Sequence, residues 1–596
     1  MNPLIPALPY VLPDLTNTAA TREFGTTASA ALNIPSELAE ILYQRGFTTL
    51  AELQNFLYPQ LAMLPDPLTM QGMDRAIDCL LASLAARPRQ PIFIHGDYDV
   101  DGMTATALLV AFFREIGRQD VHWYIPNRLE EKYGLSTQSI DRLVSLHEHK
   151  SAHGGILVTV DCGITAVEEV AYARSLGLRV IITDHHEPQG QQPEADAIVN
   201  PKQVGCTAHF SSLAGVGVAF FLAMALRKAM ATHGLSSAVT IPNLKKYLDL
   251  VALGTVADVV PLVGINRILV RAGLEVLSTK SRHGLFSLCE NCGIRDQPVQ
   301  TEDIAYKLAP RLNAAGRLGQ PHHGVNLLLA STRDQAQNFA MILEELNKER
   351  KQLEIEPLET VMEQCGAQIQ AGWNGLSVYH AACHPGIVGI LAGRLVDTYS
   401  RPTIVFTDDA TRNDTGTYLK GSGRSVPGMN LLTALQACSP LLEQFGGHAM
   451  AAGLSVAREN LAAFAKVFHQ QVTRMGISGG EGGEKIQIDW HLQESSLLTE
   501  EFIRAMQLLQ PCGEGNPEPV FLMTRKLLLQ PRNMKGHLGF QVHPGGNGRT
   551  IRGIGFHLWC ESLDLRKPVD LIFHLKRSWY RGVEQHQLHA LHITSS

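Results

Sequence analysis

Residues 91–102, with the sequence PIFIHGDYDVDG, decide the fold of the first large domain. A short apolar run ends in a loop with one histidine and three aspartates, and a helix-favouring stretch, 103–117, follows. The same order recurs where ILVTV (156–160) precedes Asp161 and RVIIT (179–183) precedes Asp184. Short buried strands that alternate with amphipathic helices predict a mostly parallel α/β sheet. Because ligands gather at the carboxyl ends of the strands in such sheets, we expect a functional site where these acidic loops meet.

Changes of pattern along the chain indicate five segments. Residues 1–75 form an N-terminal helical lead-in, 76–332 a first α/β domain, and 333–371 a long charged connector helix interrupted only by Pro357. Residues 372–475 form a second α/β domain, and 476–596 a Gly-rich hinge followed by short alternating runs that predict a small β-barrel. The expected fold class is therefore α/β, with two α/β domains joined by a long helix and a C-terminal β-barrel.

Composition and charge are those of an ordinary globular chain of 596 residues, with 45% hydrophobic and 18% charged residues. The net charge of −6 gives no overall basic signature of nucleic-acid binding, although a local basic groove and bound cations escape this measure. The N-terminus has no basic residue before Arg22, so we expect no signal peptide. The apolar run 213–226 is too short to span a bilayer. Ten cysteines without CxxC pairs favour a reducing cytoplasm over a disulfide framework or a zinc site.

Candidate metal ligands lie in four places along the first domain. They are His95, Asp97, Asp99 and Asp101 in the first loop, Asp161, then Asp184, His185 and His186, and finally Asp258 in the apolar stretch 248–262. Each has an ordinary alternative when taken alone: an Asp-rich turn, a loop acid, two surface histidines, or a buried acid bonded to backbone. Together they favour a cation, because unpaired buried carboxylates are costly. Carboxylates and imidazoles without thiolates suit Mn²⁺ or Mg²⁺ better than zinc. A carboxylate shared by two ions about 3.5–4 Å apart is the arrangement that hydrolyses phosphate esters.

The motifs HGDYDVDG, DCG, DHH and VALGTVADVVPL, in this order, resemble those of the DHH phosphoesterase superfamily, which includes the RecJ-like nucleases. The resemblance implies six metal ligands: His95, Asp99, Asp101, Asp161, His185 and Asp258. It also implies that Asp161 bridges the two ions and that His186 contacts the scissile phosphate. Asp97 and Asp184 would cap or support these ligands. No ligand position is substituted, which favours an active enzyme over a non-catalytic DNA-binding scaffold.

Arginine-bearing loops are candidate phosphate clamps, although a loop arginine taken singly is usually solvated. They contain Arg128, Arg317 and Arg424, whose planar guanidinium groups match phosphate oxygens. Similarity to RecJ-like nucleases implies further roles in binding the strand. Arg128, Asn313 and Arg317 would bind substrate, with Arg317 also stabilising charge during the reaction, Tyr133 would narrow the strand entrance, Ser422 and Arg424 would hold a 5′ phosphate, and His384 and His448 would touch nucleic acid.

The C-terminal segment is similar to the OB-type domain of RecJ-like nucleases and carries both basic and aromatic residues. The basic residues are Lys526, Arg532, Lys535, Arg549, Arg552, Lys576, Arg577 and Arg581, and the aromatic ones are Phe540, Phe556, Trp559 and Tyr580. They predict a basic groove with stacking platforms, the alternative being that the aromatics form the core.

The resemblance as a whole implies a single-stranded-DNA-specific 5′-to-3′ exonuclease that releases 5′-mononucleotides in recombination and repair. A phosphodiesterase of short oligonucleotides or cyclic dinucleotides is the alternative enzyme. We expect a cytoplasmic monomer with two Mn²⁺ or Mg²⁺ ions as cofactors, and a single-strand-binding protein and a RecQ-like helicase as partners.

Overall fold

The computed structural model describes most of the chain. The ranges are 10–11, 18–86, 90–131, 134–147, 154–232, 241–409, 417–476, 486–492, 498–543, 550–561, 564–580 and 583–595. Tyr133, Arg549 and Arg581 lie outside these described residues, and so does the side chain of Tyr580.

A parallel sheet organises the first α/β domain. The N-terminal region and this domain contain β1 (Tyr10–Val11), α1 (Thr18–Leu32), α2 (Ser36–Gln44), α3 (Leu50–Leu57), α4 (Met73–Ala85), β2 (Ile92–Gly96), α5 (Val100–Glu115), β3 (Val121–Tyr124), α6 (Thr137–Ser145), β4 (Gly155–Val160), α7 (Val167–Ser175), β5 (Leu178–Thr183), β6 (Ala197–Val199), α8 (Gly215–Thr232), α9 (Leu248–Ala257), α10 (Gly264–Ser278), α11 (His283–Asn291), α12 (Thr301–Asp303), α13 (Ala309–Arg317) and α14 (His322–Leu329). A π-helical turn, Ile304–Leu308, joins α12 to α13. The sheet order is β3-β2-β4-β5-β6 with every pair parallel, which confirms the predicted parallel sheet. Every residue of β2 and β4 is buried, as expected for strands covered by helices on both faces.

Helix α8 contains most of the apolar run noted in the sequence. Among the described helices it alone has the length and composition of a membrane span, yet 67% of it is buried inside the fold. It packs against α5 and α9, so its apolar side chains form part of the domain core.

Two consecutive helices, α15 (Arg333–Leu353) and α16 (Ile355–Gln370), connect the two α/β domains. The break in the predicted connector lies at Glu354, whose buried carboxylate pairs with Arg350 at 2.7 Å and with Arg394 at 2.6 Å. Pro357 does not interrupt the helix. It lies in the first turn of α16, where the missing N–H group has no intrahelical partner.

The second α/β domain has a mixed five-stranded sheet. Its elements are β7 (Leu376–Tyr379), α17 (Val388–Tyr399), β8 (Thr403–Asp408), β9 (Tyr418–Arg424), α18 (Leu431–Ala437), β10 (Leu442–Gly447), β11 (Ala451–Ala457) and α19 (Leu461–Arg474). The sheet order is β10-β11-β9-β8-β7, and only β7 and β8 are parallel.

The C-terminal domain is largely β, as predicted. It contains β12 (Ile486–Gln487), β13 (Trp490–Leu492), α20 (Glu500–Met506), β14 (Phe521–Lys526), β15 (Leu528–Met534), β16 (His537–Val542), β17 (Ile551–Gly555), β18 (Val569–Tyr580) and β19 (Val583–Ser595). Seven strands form one sheet in the order β13-β14-β18-β19-β17-β16-β15, over a core that includes Phe521, Phe540 and Phe573.

The N-terminal helices pack against this C-terminal domain as well as against the first α/β domain. Ile41 of α2 enters the C-terminal core, and Arg45 pairs with Asp489 at 2.7 Å. The buried guanidinium of Arg267, on α10, lies 3.8 Å from the centroid of the Phe56 ring. It donates to the backbone carbonyls of Phe56, Leu508, Leu509 and Pro511. One side chain therefore joins three segments that are far apart in the sequence.

Candidate active site

The acidic loops meet at one edge of the parallel sheet. Asp97, Asp99 and Asp101 follow β2, Asp161 follows β4, and Asp184, His185 and His186 follow β5. Asp258 is the residue after the last turn of α9. Since neighbouring parallel strands end on the same side, the sheet brings these side chains together.

One imidazole nitrogen lies close to three carboxylates. His185 Nε2 is 3.1 Å from Asp161 Oδ1, 3.7 Å from Asp258 Oδ2 and 3.9 Å from Asp101 Oδ2. Three groups have all their ligand atoms within 4.8 Å of one another: Asp101, His185 and Asp258; Asp97, Asp99 and Asp161; and Asp161, His185 and His186. Because Asp161 belongs to two of these groups, the geometry offers adjacent cation positions that share its carboxylate.

The electrostatics of this edge fit a bound cation. Asp97 Oδ1, Asp161 Oδ1, His185 Nε2 and Asp258 Oδ2 are buried and have no hydrogen-bond partner among the described residues. Burial, reinforced by neighbouring carboxylates, raises the pKa of Asp161 well above its usual value and that of Asp258 to about 9. Burial lowers the pKa of His185 to about 3, which keeps the imidazole in the neutral form that binds metals. A divalent cation would provide the missing partners and offset the crowded negative charge.

Backbone N–H groups hold one of the ligands in place. Asp101 accepts hydrogen bonds from Gly215 N at 2.5 Å and from Val216 N at 2.8 Å, at the start of α8. A Cβ atom on Gly215 would lie 2.7 Å from both Cβ and Oδ1 of Asp161, so only glycine allows this approach. Sequence reasoning missed Gly215, because it lies within an apolar run and no local motif marks it.

Asp184 orients the histidine that follows the metal ligand. Its Oδ1 accepts from His186 Nδ1 at 2.7 Å and from the backbone N–H groups of His185 and His186, and its Oδ2 accepts from Ile164 N. Burial alone would lower the pKa of His186, but the hydrogen bond to Asp184 outweighs it and the pKa is raised. The supporting role predicted for Asp184 agrees with this geometry.

The structure does not bring His95 to the cation positions, although the resemblance implies that it is a ligand. His95 lies inside β2, where Nε2 is 2.9 Å from Ser139 Oγ and Nδ1 is 3.6 Å from Cys162 Sγ. Burial lowers the pKa of His95 to about 4. Asp97, expected only to support the ligands, instead contributes an oxygen to one of the groups.

A cavity of about 400 Å³ adjoins the acidic edge and lies between the two α/β domains. The predicted residues that line it are Asp99, Arg128, Asn313, Arg317, Ser422 and Arg424, and Lys420, which sequence reasoning did not single out, lines it too. Asp99 also belongs to one of the ligand groups, so cavity and ligands are contiguous.

Positive charge is concentrated in this cavity. Burial, followed by repulsion from Arg128, Arg424 and Arg350, lowers the pKa of Arg317 to about 10. Arg317 donates to Gly386 O, and Arg424 donates to Ser422 Oγ and Gly423 O. Within the described part of the chain, no carboxylate lies within salt-bridge distance of the guanidinium groups of Arg128, Arg317 or Arg424. A phosphate group is the natural anionic partner for them.

The second domain brings a further histidine to the acidic edge. The ring of His448 stacks with that of His186, with centroids 6.5 Å apart and an interplanar angle of 17°. His384 accepts a hydrogen bond from Gly386 N through Nδ1 and so shapes the loop next to Arg317. Tyr133, the predicted entrance residue, lies outside the described residues.

The predicted groove of the C-terminal domain is only partly basic. Lys576 pairs with Glu302 and Glu518, and Arg577 stacks on Trp579 with 4.3 Å between Cζ and the ring centroid. Lys576 therefore joins the C-terminal domain to the first domain. Phe540 is a core residue, whereas Phe556 is 53% exposed and available for stacking.

Comparison with known proteins gives consistent matches along the chain. Family models match for the DHH family N-terminal domain at residues 91–255, the DHHA1 domain at 372–474 and the RecJ OB domain at 488–592. The single-stranded-DNA-specific exonuclease RecJ of Escherichia coli (strain K12) is 38% identical over 577 residues, which cover 94% of this chain and 96% of that protein. RecJ of Bacillus subtilis (strain 168) is 36% identical over 518 residues, 84% of this chain and 60% of that protein. The crystal structure of RecJ from Thermus thermophilus with Mn²⁺ has a TM-score of 0.79 at 29% identity and covers 99% of this chain and 80% of that chain. The Mg²⁺ complex has a TM-score of 0.74 at 28% identity, over 99% of this chain and 78% of that chain.

Proposed function

The chain belongs to the RecJ family of single-stranded-DNA-specific exonucleases, and we propose from this premise that it hydrolyses single-stranded DNA at the edge of its parallel sheet. The observation that carries the proposal is the contiguity of a carboxylate-rich cation site with a cavity rich in arginine. Two divalent cations, Mn²⁺ or Mg²⁺ as in the solved RecJ structures, would lower the pKa of a water molecule and offset phosphate charge.

We propose that Asp97, Asp99 and Asp161 hold one cation, and that Asp101, His185 and Asp258 hold the other. Asp161 is shared, because its carboxylate is close to both sets. The hydrogen bonds from Gly215 and Val216 fix the orientation of Asp101 before any cation binds. His95 is not part of this set, because both of its ring nitrogens have other contacts.

His186 is proposed to act on the scissile phosphate. Asp184 accepts from Nδ1 and stabilises the protonated ring, so Nε2 carries a proton that it can donate to a phosphate oxygen. Arg317, at the junction between the two domains, is placed to stabilise charge that develops on the non-bridging oxygens. Arg128 and Asn313 line the same cavity and are proposed to hold the phosphodiester backbone.

We propose that Ser422 and Arg424 bind a terminal 5′ phosphate and so set a 5′-to-3′ polarity. The Arg424 guanidinium donates to Ser422 Oγ, which gathers a hydroxyl and a fork of N–H donors at one end of the cavity. A cavity of about 400 Å³ is far too small for a duplex, which supports selectivity for single strands.

The test uses single-stranded and duplex DNA labelled at either end, with Mn²⁺, Mg²⁺ or EDTA. We expect 5′-mononucleotides from the 5′ end of single strands and no hydrolysis in EDTA. Arg424→Gln should lose at least about tenfold in preference for a 5′-phosphate over a 5′-hydroxyl end, because charge-assisted hydrogen bonds are worth about 1.5–3 kcal/mol each. Arg458→Gln, which alters an exposed arginine of the same domain, is the matched control. Release from the 3′ end, or faster hydrolysis of a dinucleotide than of a long strand, would contradict the proposal.

In the cell, we propose that the enzyme acts in recombination and repair in the cytoplasm, with a single-strand-binding protein and a RecQ-like helicase as partners. All ten cysteines are free, which supports a reducing compartment. An enzyme that accepts only single strands requires another activity to open a duplex. Addition of such a helicase with ATP should therefore make duplex DNA degradable, and the absence of any stimulation would contradict this partnership.

A further inference from the structure

A second group of metal-binding side chains lies at the opposite edge of the parallel sheet. Asp120 precedes β3, His122 is its second residue, and His147 follows α6. One ligand atom from each lies within 4.8 Å of the others. The ligands of the proposed active site follow the carboxyl ends of the strands, whereas Asp120 lies at an amino end. The two groups are therefore separate sites.

The three side chains are already held in a converging arrangement. His122 Nε2 lies 2.6 Å and His147 Nδ1 3.2 Å from the same atom, Asp120 Oδ1. The two imidazole rings are 5.6 Å apart at 74°, and Phe93 contacts both, at 5.7 Å from His122 and 6.3 Å from His147. The side chains are only 15–35% exposed, so a ligand bound here is partly shielded from water.

We propose that Asp120, His122 and His147 bind one divalent late transition metal ion of the zinc class. Two imidazoles and one carboxylate are three of the four ligands of a tetrahedral zinc site, and water completes the set. This donor set is richer in nitrogen than the proposed active site, which has five aspartates and one histidine and suits Mn²⁺ or Mg²⁺. An ion at this site takes the place of the imidazole protons that now face Asp120, so its binding releases protons.

Occupancy of this site stabilises the corner formed by β3 and α6. Helix α6 carries Ser139, which contacts His95, and Arg142, which pairs with Glu131 at 2.8 Å. Glu131 accepts a hydrogen bond from Asn127 N, next to Arg128 in the substrate cavity. An ion that joins His147 to His122 therefore fixes the position of the helix that supports this loop.

The experiment measures zinc equivalents on metal-stripped full-length protein. Because the proposed active site also takes zinc, the readout is the difference between variants. We expect the His122→Gln/His147→Gln double variant and Asp120→Asn each to bind one equivalent fewer than the unmodified chain. His491→Gln, at a partly buried histidine of the C-terminal domain, should bind the full number. Far-UV circular dichroism verifies the fold of each variant.

Cobalt provides a second readout, because tetrahedral Co²⁺ absorbs visible light far more strongly than octahedral Co²⁺. We expect the strong bands in the unmodified chain and in His491→Gln, and their loss in the double variant. Equal zinc equivalents and equal cobalt spectra in all variants would overturn the proposal and show that the two histidines bind only protons. Mn²⁺-dependent hydrolysis of single-stranded DNA, measured on the same preparations, should persist in every variant, so failure of this proposal is distinguishable from failure of the proposed function.

Discussion

Substitution of Gly215 by alanine tests the active site with a single methyl group. A Cβ atom at this position would lie 2.7 Å from Cβ and Oδ1 of Asp161, whereas ordinary van der Waals contact begins at about 3.4 Å. Either the shared carboxylate or the start of α8 must therefore move by about 0.7 Å. Movement of α8 also displaces the N–H groups that hold Asp101. A misplacement of about 1 Å at a catalytic group can lower the rate about 10²-fold. We expect a loss of about 10- to 100-fold in kcat with weaker Mn²⁺ binding.

The assay follows release of nucleotides from a labelled single strand over a range of Mn²⁺ concentrations, together with thermal unfolding. Gly215 begins a helix and has no positive φ, so alanine there should not unfold the chain. Gly393→Ala in α17 is the matched control, because no atom lies within 4 Å of its added Cβ. Unchanged kcat and unchanged Mn²⁺ affinity in folded Gly215→Ala would refute the assignment of Asp161 as the shared ligand.

Three other substitutions test separate parts of the site and the fold. Asp161→Ala should abolish hydrolysis but leave binding of single-stranded DNA largely intact, as measured by fluorescence anisotropy; normal hydrolysis would show that Asp161 does not hold the cations. Asp184→Asn should retain Mn²⁺ and lose about 10- to 100-fold in kcat, because residues that orient active-site groups typically contribute that much; a kcat within about twofold of normal would show that His186 does not depend on Asp184. Arg267→Ala should lower the free energy of unfolding by at least about 3 kcal/mol in urea, because it leaves four backbone carbonyls in the interior without their donor; a change under about 1 kcal/mol would mean that these segments hold together without it.

The parallel sheet could be predicted from sequence because its strands are short, apolar and followed directly by acidic loops. Burial on both faces requires nearly continuous apolar runs, and β2, β4 and β5 have them. The packing of the N-terminal helices against the C-terminal domain could not be predicted in the same way. It depends on contacts such as that of Arg45 with Asp489, which are 444 residues apart and follow no local periodicity.

The roles of His95 and Asp97 show where motif reasoning ends. Within β2, the pleat fixes the direction of the His95 side chain, and its contacts there are with Ser139 and Cys162. Asp97 comes after the strand, in a turn so tight that a Cβ on Gly102 would lie 2.4 Å from the carbonyl oxygen of Asp97. The turn, and not the spacing along the chain, decides which side chains face the cations.

The most direct test of the two-cation site is a crystal structure with Mn²⁺ in which anomalous scattering locates the ions. We predict two peaks about 3.5–4 Å apart, both within coordination distance of Asp161, one beside Asp97 and Asp99 and the other beside Asp101, His185 and Asp258. A single ion, or two ions with no carboxylate in common, would contradict this assignment.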